Sequence, residues 1–257
     1  MKDGEQLSPE VIYQLVADVG FRRHFHTGGM EATKELIELC HIDQDRYVLD
    51  VGCASGKTAC YVASRFGCRV VGVDILERMI DRSRERARRE RVEDRVTFRV
   101  ADAQSLPFED DLFDVVIGEF ITGLLDDKRK GVNEYLRVTK PGGYVGVNEG
   151  TWIKTPAPRE LVDYLSVTFG LPESPLTSEE WKELLAGAGL RDVAASTYKA
   201  DALGSGREGL KDLLIVWHRV LYLYIRSSAF RRFTRETLSL PKNLLEYFGY
   251  GIYVGRK

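Results

Sequence analysis

The stretch that decides the fold reads Val48-Leu-Asp-Val-Gly-Cys-Ala-Ser-Gly-Lys-Thr58. Its first residues are apolar apart from Asp50, which is typical of a parallel strand buried on both faces. Small residues follow at every second position, at Gly52, Ala54 and Gly56, and the next residues place apolar side chains at helical spacing. A strand, a tight turn and a helix in this order predict half of a βαβ unit, whose helix directs free amides at a ligand.

Three kinds of ligand use such a turn, and the residues of this one separate them. A dinucleotide fingerprint, G-x-G-x-x-G, would need its third glycine at the position of Lys57. A P-loop, G-x-x-x-x-G-K-S/T, fits Gly56-Lys-Thr58 but would need its first glycine at the position of Val51. The carboxylate of Asp50 would repel phosphates at the strand end, and it suits a ligand that carries an ammonium group.

Composition and charge are those of a globular protein with one domain. The chain has 257 residues, of which 44% are hydrophobic and 30% are charged, and its formal net charge is −2. A sizeable core can be buried, and no general attraction to nucleic acid is expected. The N-terminal residues lack the apolar core of a signal peptide. The longest apolar run, 213–225, contains His218 and Arg219 and is too short to span a bilayer.

The residues that most often bind metals are spaced without a metal-binding pattern. His24 and His26 lie one residue apart in a loop, but no third ligand accompanies them, so surface histidines are the preferred interpretation. The cysteines form no C-x-x-C pair. We interpret them as buried free thiols in a reducing cytosol, which predicts a cytoplasmic protein without a metal site. These cysteines are Cys40, Cys53, Cys60 and Cys68.

Acidic residues end the strands that are predicted after the turn. The second strand, Arg69–Asp74, ends 24 residues beyond Asp50. In a βαβ unit this spacing places a carboxylate near ribose hydroxyls, and the alternative role of Asp74 is to cap the next helix. Asp102 ends the third predicted strand, and Glu119 ends the fourth.

Three later motifs, in their order and spacing, resemble those of one enzyme family. They read Asp102-Ala-Gln-Ser-Leu-Pro-Phe108, Phe113-Asp-Val-Val116 and Leu136-Arg-Val-Thr-Lys-Pro-Gly-Gly143. With the opening pattern D-x-G-x-A-x-G, they resemble the class I methyltransferases that use S-adenosylmethionine (SAM), over residues 46–150. Ala54 replaces the middle glycine of that family, a small departure in volume. The amino-acid end of SAM carries the ammonium group that Asp50 suits.

The resemblance implies where the adenosine of SAM binds. It pairs Asp102 with the adenine amino group and the backbone amide of Ala103 with a ring nitrogen, and it packs Ile75 on the adenine face. The physical chemistry agrees, because a flat base needs an apolar contact on its face and a polar contact at its edge.

Further residues are expected to bind the amino-acid end of SAM and the substrate. Gly28 and Gly29 offer backbone amides at a helix start to the SAM carboxylate, and a simple turn is the alternative. Glu119 is expected to face the cleft and contact the SAM ammonium or a substrate amine, with a surface acid as the alternative. Glu149 and Trp152 are expected to line the substrate side. The predicted cofactor-binding set is Gly28, Gly29, Asp50, Gly52, Ala54, Gly56, Asp74, Ile75, Asp102, Ala103 and Glu119.

The expected fold is α/β, a doubly wound Rossmann-like sheet of seven strands with an antiparallel last strand. A single domain covers 1–257: a helical cap at 1–45, the SAM-binding core at 46–150, and completion of the sheet at 151–257. In the family, strands six and seven form a hairpin, whereas here about fifty residues separate 190–198 from 250–255. A helical insertion at 203–247 is therefore predicted as a substrate lid.

The insertion is predicted to hold a helix over 209–234 that is apolar in its first half and rich in arginine in its second. We interpret Tyr222 and Tyr224, like Tyr13 near the N-terminus, as core aromatics. The arginines at 226, 231, 232 and 235 fit a solvated helix end, or else attraction to an anionic substrate or a lipid surface. The solvated end is preferred, and peripheral membrane contact is the alternative.

The sequence thus predicts an enzyme that transfers the methyl group of SAM to a small or amphiphilic molecule and releases S-adenosylhomocysteine. Because the sulfonium methyl is already activated, an amine acceptor needs no base. For an oxygen or carbon acid, His26 or Glu119 is the predicted base. The alternatives are a methyltransferase acting on protein or RNA, which the near-neutral charge disfavours, a non-catalytic SAM-binding regulatory protein and, more remotely, a P-loop NTPase.

Overall fold

The computed structural model describes residues 28–169, 171–200, 217–218, 220–238 and 241–257, together with Val11, Tyr13 and Leu15. Its strands are β1 (Tyr47–Val51), β2 (Arg69–Asp74), β3 (Val96–Val100), β4 (Phe113–Glu119), β5 (Thr139–Trp152), β6 (Arg191–Lys199) and β7 (Phe248–Arg256). Its helices are α1 (Gly29–Leu39), α2 (Lys57–Phe66), α3 (Glu77–Glu90), α4 (Lys128–Val138), α5 (Arg159–Phe169), α6 (Ser178–Ala188), α7 (Ser228–Leu238) and α8 (Leu244–Tyr247), with a 3-10 turn at Thr122–Leu124.

The strands form one sheet in the order β3-β2-β1-β4-β5-β7-β6. Strands β1 to β5 pair in parallel, whereas β7 runs antiparallel to both of its neighbours, β5 and β6. The predicted α/β fold with seven strands and an antiparallel last strand is confirmed. The strand order reverses between β1 and β4, and open sheets of this kind bind ligands at that point.

Helices cover both faces of the sheet, as a doubly wound fold requires. Val48 and Val70 pack with residues of α1, α2 and α3 on one face. Leu49 and Val71 pack with residues of α4 and α6 on the other. All four side chains are at most 4% exposed, because successive residues of a strand point to opposite faces and both faces here are covered.

Two predicted elements differ from the structure. The residues 123–138 favour a single helix by their sequence, but the chain forms the 3-10 turn first. Helix α4 begins only after Asp127, whose carboxylate accepts the N–H of Lys130 at 2.9 Å. Lys140-Pro-Gly-Gly143 is typical of a turn in the sequence, but it lies within the long strand β5, where Gly142 has a φ of 80°. In both places local hydrogen bonding or pairing with a neighbouring strand outweighed the intrinsic propensity.

Two stretches of sequence indicate capped helix starts, Thr177-Ser-Glu-Glu-Trp181 and Ser8-Pro-Glu10. Thr177 and Glu180 form a complete capping box at the start of α6, an arrangement that stabilises a helix by about 1 kcal/mol. The second stretch predicts a helix that runs to about Val19, and it lies outside the described residues except for Val11, Tyr13 and Leu15, which are helical.

The helical insertion between β6 and β7 is present but is not one continuous helix. Trp217, His218 and residues 220–226 are helical, the helix ends at Ser227, and α7 begins at the next residue. The Ser227 hydroxyl accepts the backbone N–H of Phe230 at 3.1 Å and so satisfies an amide of the first turn of α7. The predicted residues 209–216 lie outside the described part of the chain.

Candidate functional site

The glycine turn lies where the strand order reverses, because it joins β1 to α2 beside the end of β4. Gly52 and Gly56 have φ of 70° and 69°. A Cβ on Gly52 would lie 2.9 Å from Ile121, so the turn needs glycine there for space as well as for conformation. Ala54 has a φ of 45°, a left-handed conformation that costs a non-glycine residue about 1 kcal/mol.

Polar contacts from α3 fix this turn. The hydroxyl of Ser83 donates to the carbonyl of Ala54 at 2.8 Å, and the guanidinium of Arg86 donates to the carbonyl of Ser55 at 2.8 Å. Ser83 is fully buried, and a Cβ on Gly56 would lie 2.8 Å from it. The turn is thus held in shape by the helix after β2, a role for Ser83 and Arg86 that no sequence motif indicated.

Asp74, at the end of β2, holds three groups with its two oxygens. Its Oδ1 accepts the backbone N–H of Leu76 at 2.9 Å. Its Oδ2 accepts the N–H of Ala54 at 3.0 Å and the hydroxyl of Tyr13 at 2.7 Å. Burial raises the pKa of this carboxyl, and the hydrogen bonds oppose the shift. The contact with Leu76 resembles the helix-capping alternative, but the other two place Asp74 in the wall of the cleft.

The sequence suggested that Tyr13 is a core aromatic, but the structure places its hydroxyl beside Asp74. Its ring is half-buried, and its hydroxyl donates to the carboxylate expected to bind ribose. Burial is the largest cause that raises the pKa of this phenol, and the charge of Asp74 adds to it. The N-terminal part of the chain thus contributes a hydroxyl to the site.

Glu119, at the end of β4, connects the N-terminal parts of two helices. Its Oε1 accepts the hydroxyl of Thr33 in α1 at 2.8 Å, and its Oε2 accepts the hydroxyl of Thr58 in α2 at 2.7 Å. The side chain is half-buried rather than on the surface. A carboxylate therefore lies between two helix N-termini, each of which carries partial positive charge.

Asp50 lies deeper than the sequence suggested. The residue is 2% exposed, so it does not stand openly at the strand end. Its Oδ2 is buried without a hydrogen-bond partner. Burial and then the negative charge of Glu119 raise the pKa of this carboxyl well above its ordinary value, and the backbone amide of Ala59 opposes the shift. Two neighbouring acids in a buried setting favour the approach of a cation.

The start of α1 combines a closely packed glycine with an open one. Gly28 and Gly29 have φ of 80° and 54°. A Cβ on Gly28 would lie 2.6 Å from the ring of Tyr250, whereas a Cβ on Gly29 would meet nothing within 4 Å. Thr33 connects this turn to Glu119. Open space, the N-terminus of a helix and a carboxylate therefore lie close together.

An apolar side chain and a carboxylate lie together beyond β2 and β3. Ile75 is 54% exposed, a high value for a large apolar residue. Asp102 is exposed as well, and its Oδ1 accepts the N–H of Gln104 at 2.8 Å, while Ala103 is buried. The N–H of Ala101 donates to the carbonyl of Asp74, which keeps the two strand ends side by side. These two side chains suit a flat base, because Ile75 offers an apolar contact for the face of the base and Asp102 offers a polar contact for its edge.

Glu149 has a structural role, in contrast to the expectation that it lines the substrate side. It is 2% exposed, and its carboxylate accepts the backbone N–H groups of Ile121, Thr122 and Gly123 at 3.2, 2.7 and 3.2 Å. Trp152 is also buried, and it borders an open groove of about 580 Å³ that none of the predicted cofactor residues line.

The buried Glu149 predicts how stability depends on pH. Burial raises the pKa of its carboxyl from 4.5 to about 7, against the opposing hydrogen bonds. The folded state therefore binds more protons than the unfolded state between these values, and the free energy of unfolding falls as the pH rises through them. The loss amounts to about 3 kcal/mol at most. In urea unfolding at pH 5 and pH 8, Glu149→Gln should lose most of this decrease. An equal decrease in both proteins would exclude Glu149 as its source.

Together these residues fit SAM, whose amino-acid end is a zwitterion. Glu119 and the partnerless oxygen of Asp50 suit the ammonium, and the amides beside the open space at Gly29 suit the carboxylate. Ile75 and Asp102 suit the adenine. The described residues contain no group of three or more His, Cys, Asp and Glu side chains that could hold a metal ion.

Comparison with known proteins decides the family. Residues 48–143 match the family described as methyltransferase domain. The chain is 32% identical to the ubiquinone/menaquinone biosynthesis C-methyltransferase UbiE of Geobacter sulfurreducens, over 64% of this chain and 73% of UbiE. The chain belongs to the class I SAM-dependent methyltransferases. SAM is accordingly its methyl donor. A second relative is the 27-O-demethylrifamycin SV methyltransferase of Amycolatopsis mediterranei, 29% identical over 74% of this chain and 72% of that protein.

Solved structures support the fold of this methyltransferase. The cyclase SpnF superposes with a TM-score of 0.79 at 21% identity, over 96% of this chain and 92% of SpnF. At this identity the likeness concerns the fold alone, and SpnF, a [4+2]-cyclase, shows that the fold can serve another reaction.

The predictions for the histidines, the cysteines and two tyrosines are compared with the structure as follows. His24 and His26 lie outside the described residues. All four cysteines are buried and free. Tyr222 and Tyr224 are 62% and 49% exposed, so their interpretation as core aromatics was wrong. Among the described residues, no helix has the length and apolar character needed to cross a membrane.

Proposed function

We propose that this methyltransferase transfers the methyl group of SAM to a small or amphiphilic acceptor. The observation that carries the proposal is the position of Glu119 between the N-termini of α1 and α2, next to Asp50, at the point where the strand order reverses. UbiE is named for ubiquinone and menaquinone biosynthesis, and the second relative is named for 27-O-demethylrifamycin SV, and all of these are small molecules. Nucleic acid is not proposed as a partner.

In the proposed complex each part of SAM has its own residues. Glu119, supported by Asp50, binds the ammonium, and the amides at Gly28 and Gly29 bind the carboxylate. Asp74 accepts the ribose hydroxyls.

The adenine lies against Ile75, with Asp102 and the amide of Ala103 at its edge. The turn at Gly52, Ala54 and Gly56 lets the backbone approach the cofactor closely.

The chain mostly aligns and shields the reactants. SAM, when bound, supplies a methyl group already activated by its sulfonium. The protein then has to hold the acceptor in line with that methyl and exclude water. An amine acceptor needs no further group, and for an oxygen or carbon acid we propose Glu119 or His26 as the base. The insertion 203–247 is proposed as the lid over the acceptor.

We propose a cytoplasmic location, since free buried cysteines suit a reducing compartment. Contact with a membrane surface is also part of the proposal, because an amphiphilic acceptor partitions into lipid.

Labelled SAM tests this function directly. The protein is incubated with methyl-labelled SAM and cell extract separated into lipid, polar metabolite, protein and RNA fractions. Label should enter a small molecule in the lipid or polar fraction, and Asp74→Ala should abolish its transfer. Label in protein or RNA would overturn the proposed acceptor class. SAM binding by calorimetry without any labelled product would favour a non-catalytic SAM-binding protein.

A further inference from the structure

The helical segment before α7 presents an apolar face to solvent. We call its described part, 217–218 and 220–226, the Trp217 segment. Trp217, Leu221 and Ile225 are 57%, 49% and 66% exposed. They follow one another at intervals of four residues, and Tyr224 lies on the same face at seven residues from Trp217, so they form one stripe. Monomeric proteins rarely expose a contiguous apolar surface of this kind without a partner.

The segment is anchored through different residues, so the exposed stripe is not simply a frayed helix. Val220 and Leu223 pack against Leu15 and Phe230. The guanidinium of Arg231 in α7 donates to the carbonyls of Tyr224 and Ile225 at 2.9 and 3.0 Å, which satisfies the end of the segment. The stripe is therefore held outward from a fixed helical corner.

Positive charge is concentrated at this corner. The residues from 217 to 238, which span the Trp217 segment and α7, include five arginines and one acidic residue, Glu236, in a chain whose net charge is −2. Arg226 and Arg235 are exposed. The solvated-helix-end interpretation accounts for Arg231, which caps the preceding helix, but it leaves the exposed arginines beside an exposed aromatic stripe unexplained.

We propose that the Trp217 segment and α7 form a docking surface for an anionic lipid bilayer. Exposed Trp, Leu and Ile side chains enter the boundary between headgroups and acyl chains, and Arg226 and Arg235 bind the anionic headgroups. The surface lies on the membrane and does not cross it. This inference rests on the proposed function in one respect. The docking surface would bring the insertion 203–247 to the bilayer, where an amphiphilic acceptor is dissolved.

The charge pattern selects this occupant over a second copy of the chain. A copy would cover the apolar stripe, but in a symmetric contact it would also bring two clusters of arginines together, and like charges repel. An anionic bilayer would bury the apolar stripe at its surface and would also pair its negative headgroups with the arginines.

Tryptophan fluorescence offers a direct test, because the three tryptophans differ sharply in exposure. Trp152 and Trp181 are 5% and 1% exposed, against 57% for Trp217. Vesicles of phosphatidylcholine with a third of phosphatidylglycerol should shift the emission to shorter wavelengths, and pure phosphatidylcholine should not. Trp217→Phe should still sediment with the anionic vesicles but lose the spectral shift.

Charge variants separate the surface from general attraction. Arg226→Gln with Arg235→Gln should weaken binding to the anionic vesicles about 25-fold, because each arginine near such a surface contributes about fivefold. The control pair, Arg88→Gln with Arg89→Gln on the exposed side of α3, removes the same charge and should keep most of the binding. Equal loss in the two pairs would overturn the proposal.

Two further outcomes would also count against it. Vesicle binding without a Trp217 shift would place the contact elsewhere, and a shift that depends on protein concentration without vesicles would indicate a second copy. Calorimetry with SAM is run on every variant without lipid. Absent vesicle binding by the unchanged chain, with normal SAM affinity, would reject only the docking surface, whereas absent SAM binding in the unchanged chain would reject the proposed function.

Discussion

Asp74→Ala should raise the Kd for SAM more than about 100-fold, the largest effect expected of a single substitution in the site. Each hydrogen bond to a charged group contributes about 1.5–3 kcal/mol, and two ribose hydroxyls are proposed to bind this carboxylate. The alanine also leaves the N–H of Ala54 without its acceptor at 3.0 Å, so the glycine turn loses a support. Isothermal titration calorimetry with SAM measures the change.

A matched control distinguishes a local effect from general damage. Asp81 is an exposed acid on α3 that pairs with Arg84 at 3.1 Å, and Asp81→Asn should leave the Kd for SAM unchanged. Circular dichroism and thermal unfolding show whether the Asp74→Ala protein is folded. If a folded Asp74→Ala protein bound SAM with normal affinity, Asp74 would have to be removed from the cofactor site.

Glu119→Gln should raise the Kd for SAM about tenfold to 100-fold. Glutamine keeps the shape of the side chain and one acceptor for Thr33 or Thr58, but it loses the charge that is proposed to bind the ammonium. A buried hydrogen bond between charged groups is shorter and stronger than one between neutral groups, which sets the size of the loss.

The choice of ligand makes this second test specific. Methylthioadenosine contains the adenosine of SAM but no amino-acid end. Glu119→Gln should bind it as the unchanged protein does, whereas Asp74→Ala should bind both ligands weakly. If Glu119→Gln lost affinity for methylthioadenosine to the same degree, Glu119 would act through folding of the cleft rather than through the ammonium.

The sequence predicted well those features that depend on local pattern and spacing. The alternation of apolar strands with helices fixed the sheet, because parallel strands must bury both faces. The spacing from Asp50 to Asp74 placed two acids at neighbouring strand ends, since consecutive strands of a βαβ unit lie side by side.

Other features depend on contacts between distant parts of the chain, which no local pattern encodes. Tyr13 contacts Asp74 across 61 positions, and Glu119 contacts Thr33 across 86. A tyrosine in an apolar helix reads as core in the sequence, and only its neighbours show that its hydroxyl has a partner in the cleft. Glu149 was expected to line the substrate side for the same reason, although its carboxylate accepts three backbone N–H groups.

By itself the sequence determined the fold class, the family and the position of the cofactor crevice, because these follow from hydrophobic periodicity, small residues in one turn and acids at strand ends. The tertiary structure alone decided the depth of Asp50, the engagement of Glu119 by two helices, and the outward face of the Trp217 segment. Burial and pairing are properties of the space around a side chain, and that space is filled by residues far away along the chain. The same apolar helix can pack into a core or face a membrane, and only the position of its neighbours distinguishes the two.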